Sequence, residues 1–201
     1  GGSILGDKTR MGRLAGEADA YIRPSPAGTS LGGVTKTTRE TIAIAEAAGF
    51  DVVLVETVGV GQSETAVSNM VDVFVVVAIP GAGDELQGIK RGILEDADVL
   101  AINKADGDNR AAAERARREL SGAIGLIPAR TRGWSVPVLT CSALEQSGLD
   151  ELTAALDRHA EHLRASGAFE AQRAEQRSRW LWQAVEQELA RRFRKHPAVA
   201  A

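Results

Sequence analysis

Cys141 is the one cysteine among 201 residues, so no internal disulfide can form, and a disulfide-stapled secreted domain is excluded. No charged and then apolar leader opens the chain at Gly1; secretion has no support, and a cytoplasmic location is expected. Long hydrophobic runs are missing too. The longest, Val71 to Pro80, carries Asp72 inside it and falls far short of the roughly 20 residues a membrane helix needs. Nor is there an excess of positive charge: 24 Lys and Arg face 27 Asp and Glu, a formal net charge of −3. Wide contact with nucleic acid or an anionic membrane is thereby disfavoured, which leaves small molecules and proteins as partners. The 44% of hydrophobic residues is ordinary for a folded domain, and the length suits one domain with an appendage. The ends, Gly1-Gly2-Ser3 without Met and Pro197 to Ala201 just past an amphipathic stretch, read as those of a piece of something longer.

Three β-rich runs stand out, Asp51 to Thr57, Val71 to Ile79 and Asp98 to Asn103, with Val136 to Cys141 as a weaker fourth. They are near-continuous in Val, Leu and Ile rather than alternating, the composition of parallel strands covered on both faces. Helical stretches fall at Thr38 to Ala48, Glu64 to Met70, Asp84 to Glu95, Asn109 to Leu120 and Leu149 to Arg164. This alternation predicts a doubly wound α/β fold with a largely parallel sheet, whose ligands sit at the carboxyl ends of the strands. After Gly167, Trp180, Leu181, Ala184, Val185, Leu189 and Phe193 recur every three or four residues, as in one long amphipathic helix. Two uses stay open: packing on its own domain, or an arm offering its stripe to another subunit. The basic end, Arg191 to Lys195, suits last-turn complementation of the helix dipole better than nucleic acid.

Chemistry concentrates where strands end. Asn103-Lys104-Ala105-Asp106 follows a strand directly, and a carboxylate there can accept both the ring N–H and the exocyclic amine of guanine, a pairing adenine cannot offer. Cys141-Ser142-Ala143-Leu144 closes another strand and can present a backbone N–H to the guanine oxygen. Upstream, Glu56-Thr57-Val58-Gly59 ends the first strand; its carboxylate can hold Mg²⁺, and the glycine lets backbone approach a terminal phosphate. Each element alone also reads as an ordinary turn. Their shared order and spacing is that of a G domain.

Three segments carry a closer resemblance: Gly2 to Met11, Val55 to Glu64 and Gly83 to Gly92. They resemble the MeaB family, G-protein chaperones of adenosylcobalamin-dependent methylmalonyl-CoA mutase, some of whose members bear the older name of arginine/ornithine transport kinases. The resemblance implies a partial P-loop-type G domain, lacking its N-terminal P-loop unit, over 1–166 and a helical dimerisation arm over 167–201. It implies a homodimeric GTPase that binds GTP, GDP and Mg²⁺, gates cofactor loading and protects the mutase. Asp7 would help hold Mg²⁺ in switch I. Glu56 takes the Walker B position, with Gly59 to Glu64 as switch II, and Asp84 and Lys90 in a third switch would relay the mutase's presence to the nucleotide. Asn103, Lys104 and Asp106 would bind the base beside Ser142 and Ala143. From residue chemistry alone, Asp84 is also an ordinary helix-start acid and Lys90 a solvated cation.

The position after the switch II glycine, where Ras-like proteins keep their water-orienting Gln, holds Val60, and Gln62 lies two residues on. Slow intrinsic hydrolysis, raised by a partner, is therefore expected. The family's phosphate-binding loop, Gly-x-x-x-x-Gly-Lys-[Ser/Thr], is absent, so the chain alone is expected to bind GTP poorly and hydrolyse none. Leu31 to Thr38 resembles a deviant phosphate loop, but Thr35 stands where a glycine is needed and no buried strand precedes it; a loop and helix start is the preferred reading. His159 and His162 have no visible third metal ligand, and Cys141 reads as buried packing. Two rival functions follow: an ATP-using transport kinase, or a non-catalytic mutase-binding module. A segment of a fused mutase is a further possibility.

Overall fold

Val99, Leu100, Ala101 and Ile102 are all 0–1% exposed, as a strand must be when the sheet covers both its edges and helices cover both its faces. The computed structural model describes residues 11–24, 31–57, 64–81 and 91–196. It shows a three-stranded parallel sheet of order β1 (Val75–Ala78), β2 (Val99–Ile102) and β3 (Val138–Thr140). Val75 to Ala78 pair in register with Val99 to Ile102, and Leu100 to Ile102 pair with Val138 to Thr140. The carboxyl ends of all three strands therefore reach the same edge of the sheet.

The chain divides into two compact units, residues 1–67 and 68–201. In the first, α1 (Leu31–Ala47) begins seven residues before the expected Thr38. Gly32, Gly33 and Lys36 are thus helical rather than part of a loop, and Lys36 lies 3.8 Å from Glu40 across one turn. Residues 51–57, expected as the first strand, form no strand. Strand propensity needs a partner to become a ladder, and among the described residues none is supplied; Val52 and Leu54 remain 72% and 86% exposed. A short helix, α2 (Glu64–Ser68), follows.

In the second unit α3 (Arg91–Asp96) leads into β2, and α4 (Arg110–Ile124) crosses from β2 to β3. Ala113, Ala116, Leu120 and Ile124 form the buried face of α4. The small alanines let its axis approach the sheet, and its exposed face carries Arg117 bound to Glu114. Next, α5 (Leu149–Ala165) buries Ala155, His159 and Leu163, one per turn. Its first turn holds Asp150 and Glu151 and its last His162 and Arg164, matching charge to the helix dipole at both ends.

A buried polar cluster ties the start of β2 to α5. The Asp98 carboxylate accepts from the Phe74 N–H at 2.9 Å and the Thr131 hydroxyl at 3.0 Å, and His159 Nε2 lies 3.3 Å away. The Trp134 indole donates to the Asp98 carbonyl at 2.8 Å and meets the His159 ring edge-on at 4.9 Å. His162 Nε2 contacts the Arg132 carbonyl oxygen at 3.0 Å. Both histidines are therefore structural.

The last helix, α6 (Ala168–Lys195), serves its own unit over its first half. Gln172 and Gln176 donate to the Val71 carbonyl, Arg173 grips Asp72 with two hydrogen bonds, and Arg179 reaches Asn69. Phe169 lies under the guanidinium of Arg173, 4.6 Å from the ring centroid. Its second half exposes Leu181, Trp182, Leu189 and Phe193. Among the described residues no helix is long and apolar enough to cross a membrane.

Candidate functional site

The carboxyl ends of β2 and β3 stand side by side and release two loops that interlock. Asn103 N–H donates to the Ala78 carbonyl at 2.8 Å, Cys141 N–H to Ile102 at 2.9 Å and Ala105 N–H to Cys141 at 3.0 Å. These bonds continue the ladder one step past the strands, so both loops start from fixed backbone. Between them lies a cavity of about 410 Å³ lined by Asn103, Lys104, Asp106, Asn109, Ala143 and Leu144, within the range of small-molecule sites, about 300–1,000 Å³.

The Asn103 carboxamide is the knot of this arrangement. Its Oδ1 accepts the Lys104 N–H at 2.8 Å and the Ala143 N–H at 3.1 Å, joining its own loop to the other. The Cys141 thiol lies 3.9 Å from the same oxygen. With Oδ1 committed, the amide nitrogen is left to donate elsewhere. Lys104 adopts φ +61°, the left-handed region, although it is not glycine. Such a conformation costs about 1–2 kcal/mol and persists only where neighbours enforce it; here the Asn103 side chain and the Ala105 hydrogen bond hold the residue from both sides.

Asp106 is half-buried and faces the cavity. The Ser142 hydroxyl, fully buried, donates to its Oδ2 and also accepts the Glu145 N–H at 3.0 Å. The carboxylate is thus held from behind through Oδ2, and with about four lone pairs on two oxygens it keeps acceptor capacity on both for a ligand. Arg110 and Glu145 join the start of α4 to the second loop with a 2.6 Å ion pair. Ser142 and Ser147 exchange backbone hydrogen bonds, shaping the second loop into a narrow bulge that returns to Gly148. A Cβ on Gly148 would stand 2.3 Å from the Thr140 carbonyl oxygen, so only glycine permits this return. Burial pushes the Cys141 thiol above its ordinary 9.0, in keeping with a packing residue.

Four expected site residues, Asn103, Lys104, Asp106 and Ala143, therefore line one cavity, with Ser142 buried behind Asp106. Glu56 lies in the first unit, exposed near the end of the 51–57 run. Asp7, Gly59, Asp84 and Lys90, with Val60 and Gln62, lie outside the described residues. Among the described residues no three His, Cys, Asp or Glu side chains assemble as a cation site; Asp7, on which the Mg²⁺ expectation rests together with Glu56, lies outside them. The sequence reading missed Asn109, Leu144 and Gly148. Each had a local signal: Asn109 ends a Gly-Asp-Asn turn directly after Asp106, Leu144 follows the Ser-Ala pair, and Gly148 precedes an acid-started helix.

Similarity to known proteins runs along the whole chain. A probable GTPase of Mycobacterium tuberculosis is 55% identical over 199 residues, covering 99% of this chain and 59% of that protein. The mouse mitochondrial methylmalonic aciduria type A homolog is 45% identical over 199 residues, covering 99% of this chain and 48% of that protein. The crystal structure of a LAO/AO transport system kinase superposes with a TM-score of 0.80 at 40% identity, over 92% of this chain and 58% of that one. The chain thus spans about half to three fifths of the length of these relatives. Residues 1–198 match the family described as methylmalonyl Co-A mutase-associated GTPase MeaB, and with a parallel α/β sheet carrying the Asn-Lys-x-Asp and Ser-Ala loops at its strand ends, the chain belongs to the MeaB family of GTPases.

Proposed function

We propose that the cavity at the ends of β2 and β3 reads the guanine base of GTP and GDP. The observation that carries this is the Asp106 carboxylate, held by the Ser142 hydroxyl and aimed into a cavity whose other walls are Asn103, Lys104 and Ala143. Guanine presents a ring N–H and an amine side by side, which one carboxylate accepts together; adenine presents an acceptor in place of that ring N–H. The free amide nitrogen of Asn103 donates to a ring nitrogen. The Lys104 stem lies along the base, and the Ala143 N–H turns from Asn103 Oδ1 to the guanine oxygen. Recognition on this reading needs only small rearrangements, because the interlocked backbone is already in place.

The whole protein, on this proposal, is a GTP-hydrolysing G protein that guards adenosylcobalamin-dependent methylmalonyl-CoA mutase and gates its cofactor loading. The family's description and the disease name carried by the mouse relative support this part. Glu56 and Asp7 would be the Mg²⁺ carboxylates, Gly59 the phosphate-sensing glycine, and Asp84 and Lys90 the relay to the mutase. The metal would neutralise phosphate charge. With Val60 in the Gln place, hydrolysis is slow until the mutase orders the missing group. The exposed second half of α6 supports a homodimer, with residues 1–166 as the G domain and 167–201 as the arm.

Displacement of a fluorescent GDP by unlabelled GTP, GDP and ATP tests the base reading. Guanine nucleotides should compete at concentrations at least a hundredfold below ATP. Equal competition by ATP would overturn the proposal and favour the transport-kinase reading that the solved neighbour's name suggests. For the partner, purified mutase should raise GTP turnover by the whole protein; binding that ignores the nucleotide would leave a non-catalytic module instead.

A further inference from the structure

Asn109 lines the same cavity as Asp106 but belongs to none of the loops so far assigned to the base. It ends the 3-10 turn Gly107–Asn109, in which its N–H donates to the Asp106 carbonyl at 2.9 Å. Asp106, on extended backbone just before the turn, and Asn109, at its end, both line the cavity. Asparagine before a helix ordinarily accepts a hydrogen bond from the first turn. Here it does not: Asn109 has helical dihedrals, φ −80° and ψ −13°, and no side-chain capping bond to α4. Among the described residues its carboxamide has no hydrogen-bond partner, so an acceptor and two donors stand at the cavity wall uncommitted.

Guanine has a need that Asp106 does not meet. The 2-amino group carries two hydrogens, and a carboxylate that accepts the ring N–H and one of them leaves the other pointing toward the sugar side. A base seated in the cavity takes that hydrogen out of water, and an unpaired donor there is a cost. We infer that Asn109 Oδ1 accepts this second amine hydrogen, making Asn109 a specificity residue that separates guanine from hypoxanthine, whose ring has no 2-amino group. This rests on the base reading by Asp106. It adds a discrimination that the carboxylate alone gives only in part, since hypoxanthine keeps the ring N–H.

The test compares GDP, IDP and N2-methyl-GDP by ligand-observed NMR titration into millimolar range, on the protein and on Asn109→Ala. In the unsubstituted protein, N2-methyl-GDP should bind about five- to tenfold more weakly than GDP, the worth of one net hydrogen bond, because the methyl displaces the hydrogen that Asn109 accepts. In Asn109→Ala, GDP should weaken by the same factor while IDP holds within twofold. N2-methyl-GDP binding as well as GDP, or an Asn109→Ala loss shared equally by GDP and IDP, would overturn the inference. The N2-methyl arm needs no variant to fold. If ATP competes as well as GTP, or GDP fails to bind at millimolar concentration, the base reading falls; guanine selectivity with an unchanged GDP-to-IDP ratio in Asn109→Ala removes Asn109 alone.

Discussion

Replacing Gly148 with alanine asks whether the second base loop is clamped from behind. Gly148 precedes α5 at φ +71° and ψ 4°, and Gly167 precedes α6 at φ +71° and ψ 3°, so the two share one backbone conformation. They differ in what a Cβ would meet. Nothing lies within 4 Å at Gly167, whereas at Gly148 the new carbon would stand 2.3 Å from the Thr140 carbonyl oxygen and 3.1 Å from the Cys141 Cα. Gly167→Ala therefore measures the left-handed conformation alone, about 1–2 kcal/mol. Gly148→Ala adds an overlap with main chain that no rotamer change relieves, comparable to overpacking at a further ~1–3 kcal/mol. The residues pushed aside lead directly into Ser142 and Ala143. Guanine nucleotide affinity should accordingly fall in Gly148→Ala and hold in Gly167→Ala. Urea unfolding followed by circular dichroism, with GDP titrated into each protein, reads both quantities. Equal destabilisation by the two substitutions, or unchanged GDP affinity in Gly148→Ala, would refute the clamp.

Asp98→Ala strands the Phe74 N–H and removes the carboxylate facing Arg130, Thr131 and His159, and should cost about 3–5 kcal/mol in urea unfolding, as for other broken buried ion pairs; a loss below 1 kcal/mol would contradict the cluster. Thr131→Val, which removes a single donor, should cost only about 0.5–1.5 kcal/mol. Lys104→Gly should raise stability by about 1 kcal/mol through relief of the left-handed strain while weakening GDP, and a fall in stability would show that the φ is not strained. Cys141, with its pKa above 9.0 in the folded protein, should react slowly with iodoacetamide at pH 8 and speed up on unfolding. The folded state then holds the thiol proton more tightly, so this contribution to stability is complete below pH 9.0 and is lost as pH rises through the folded value; alkylation as fast as a free thiol would contradict the burial.

The parallel strands were legible because their composition is set by burial on both faces, and β2 is the clearest case: Val99 to Ile102 are apolar since no side of the strand meets water. The clustering of the residues proposed to read the base was legible for a related reason, because Asn103, Asp106 and Ser142 follow their strands within a few positions and a parallel sheet delivers them to one edge. The 52–57 segment misled, since Val-Val-Leu-Val states a preference for pairing and says nothing of the partner. The start of α1 was misplaced because Gly32 and Gly33 are weak helix formers, yet context carried the helix through them. The α6 helix was read as serving either its own domain or another subunit; its hydrogen-bonding residues Gln172, Arg173 and Gln176 lie among apparently solvated positions, where periodicity of apolar residues gives no hint of their work. Asn109 was invisible because an asparagine before a helix is usually a cap, and only the geometry shows that this one is not.

Most ligand loops hang from regions that open easily, but here the Asn103 to Asp106 loop begins one residue after the most buried strand in the described chain. Its first amide is tied to Ala78 and its third to Cys141, so neither can exchange with solvent unless sheet pairing itself is lost. Amide hydrogen exchange at Asn103 and Ala105 should therefore slow to the rate of unfolding of the whole second unit rather than of a local loop. A nucleotide that docks there would raise the free energy of that global opening by the full amount set by its concentration and affinity, and its presence would be readable at every slow amide of β2, far from any atom it touches.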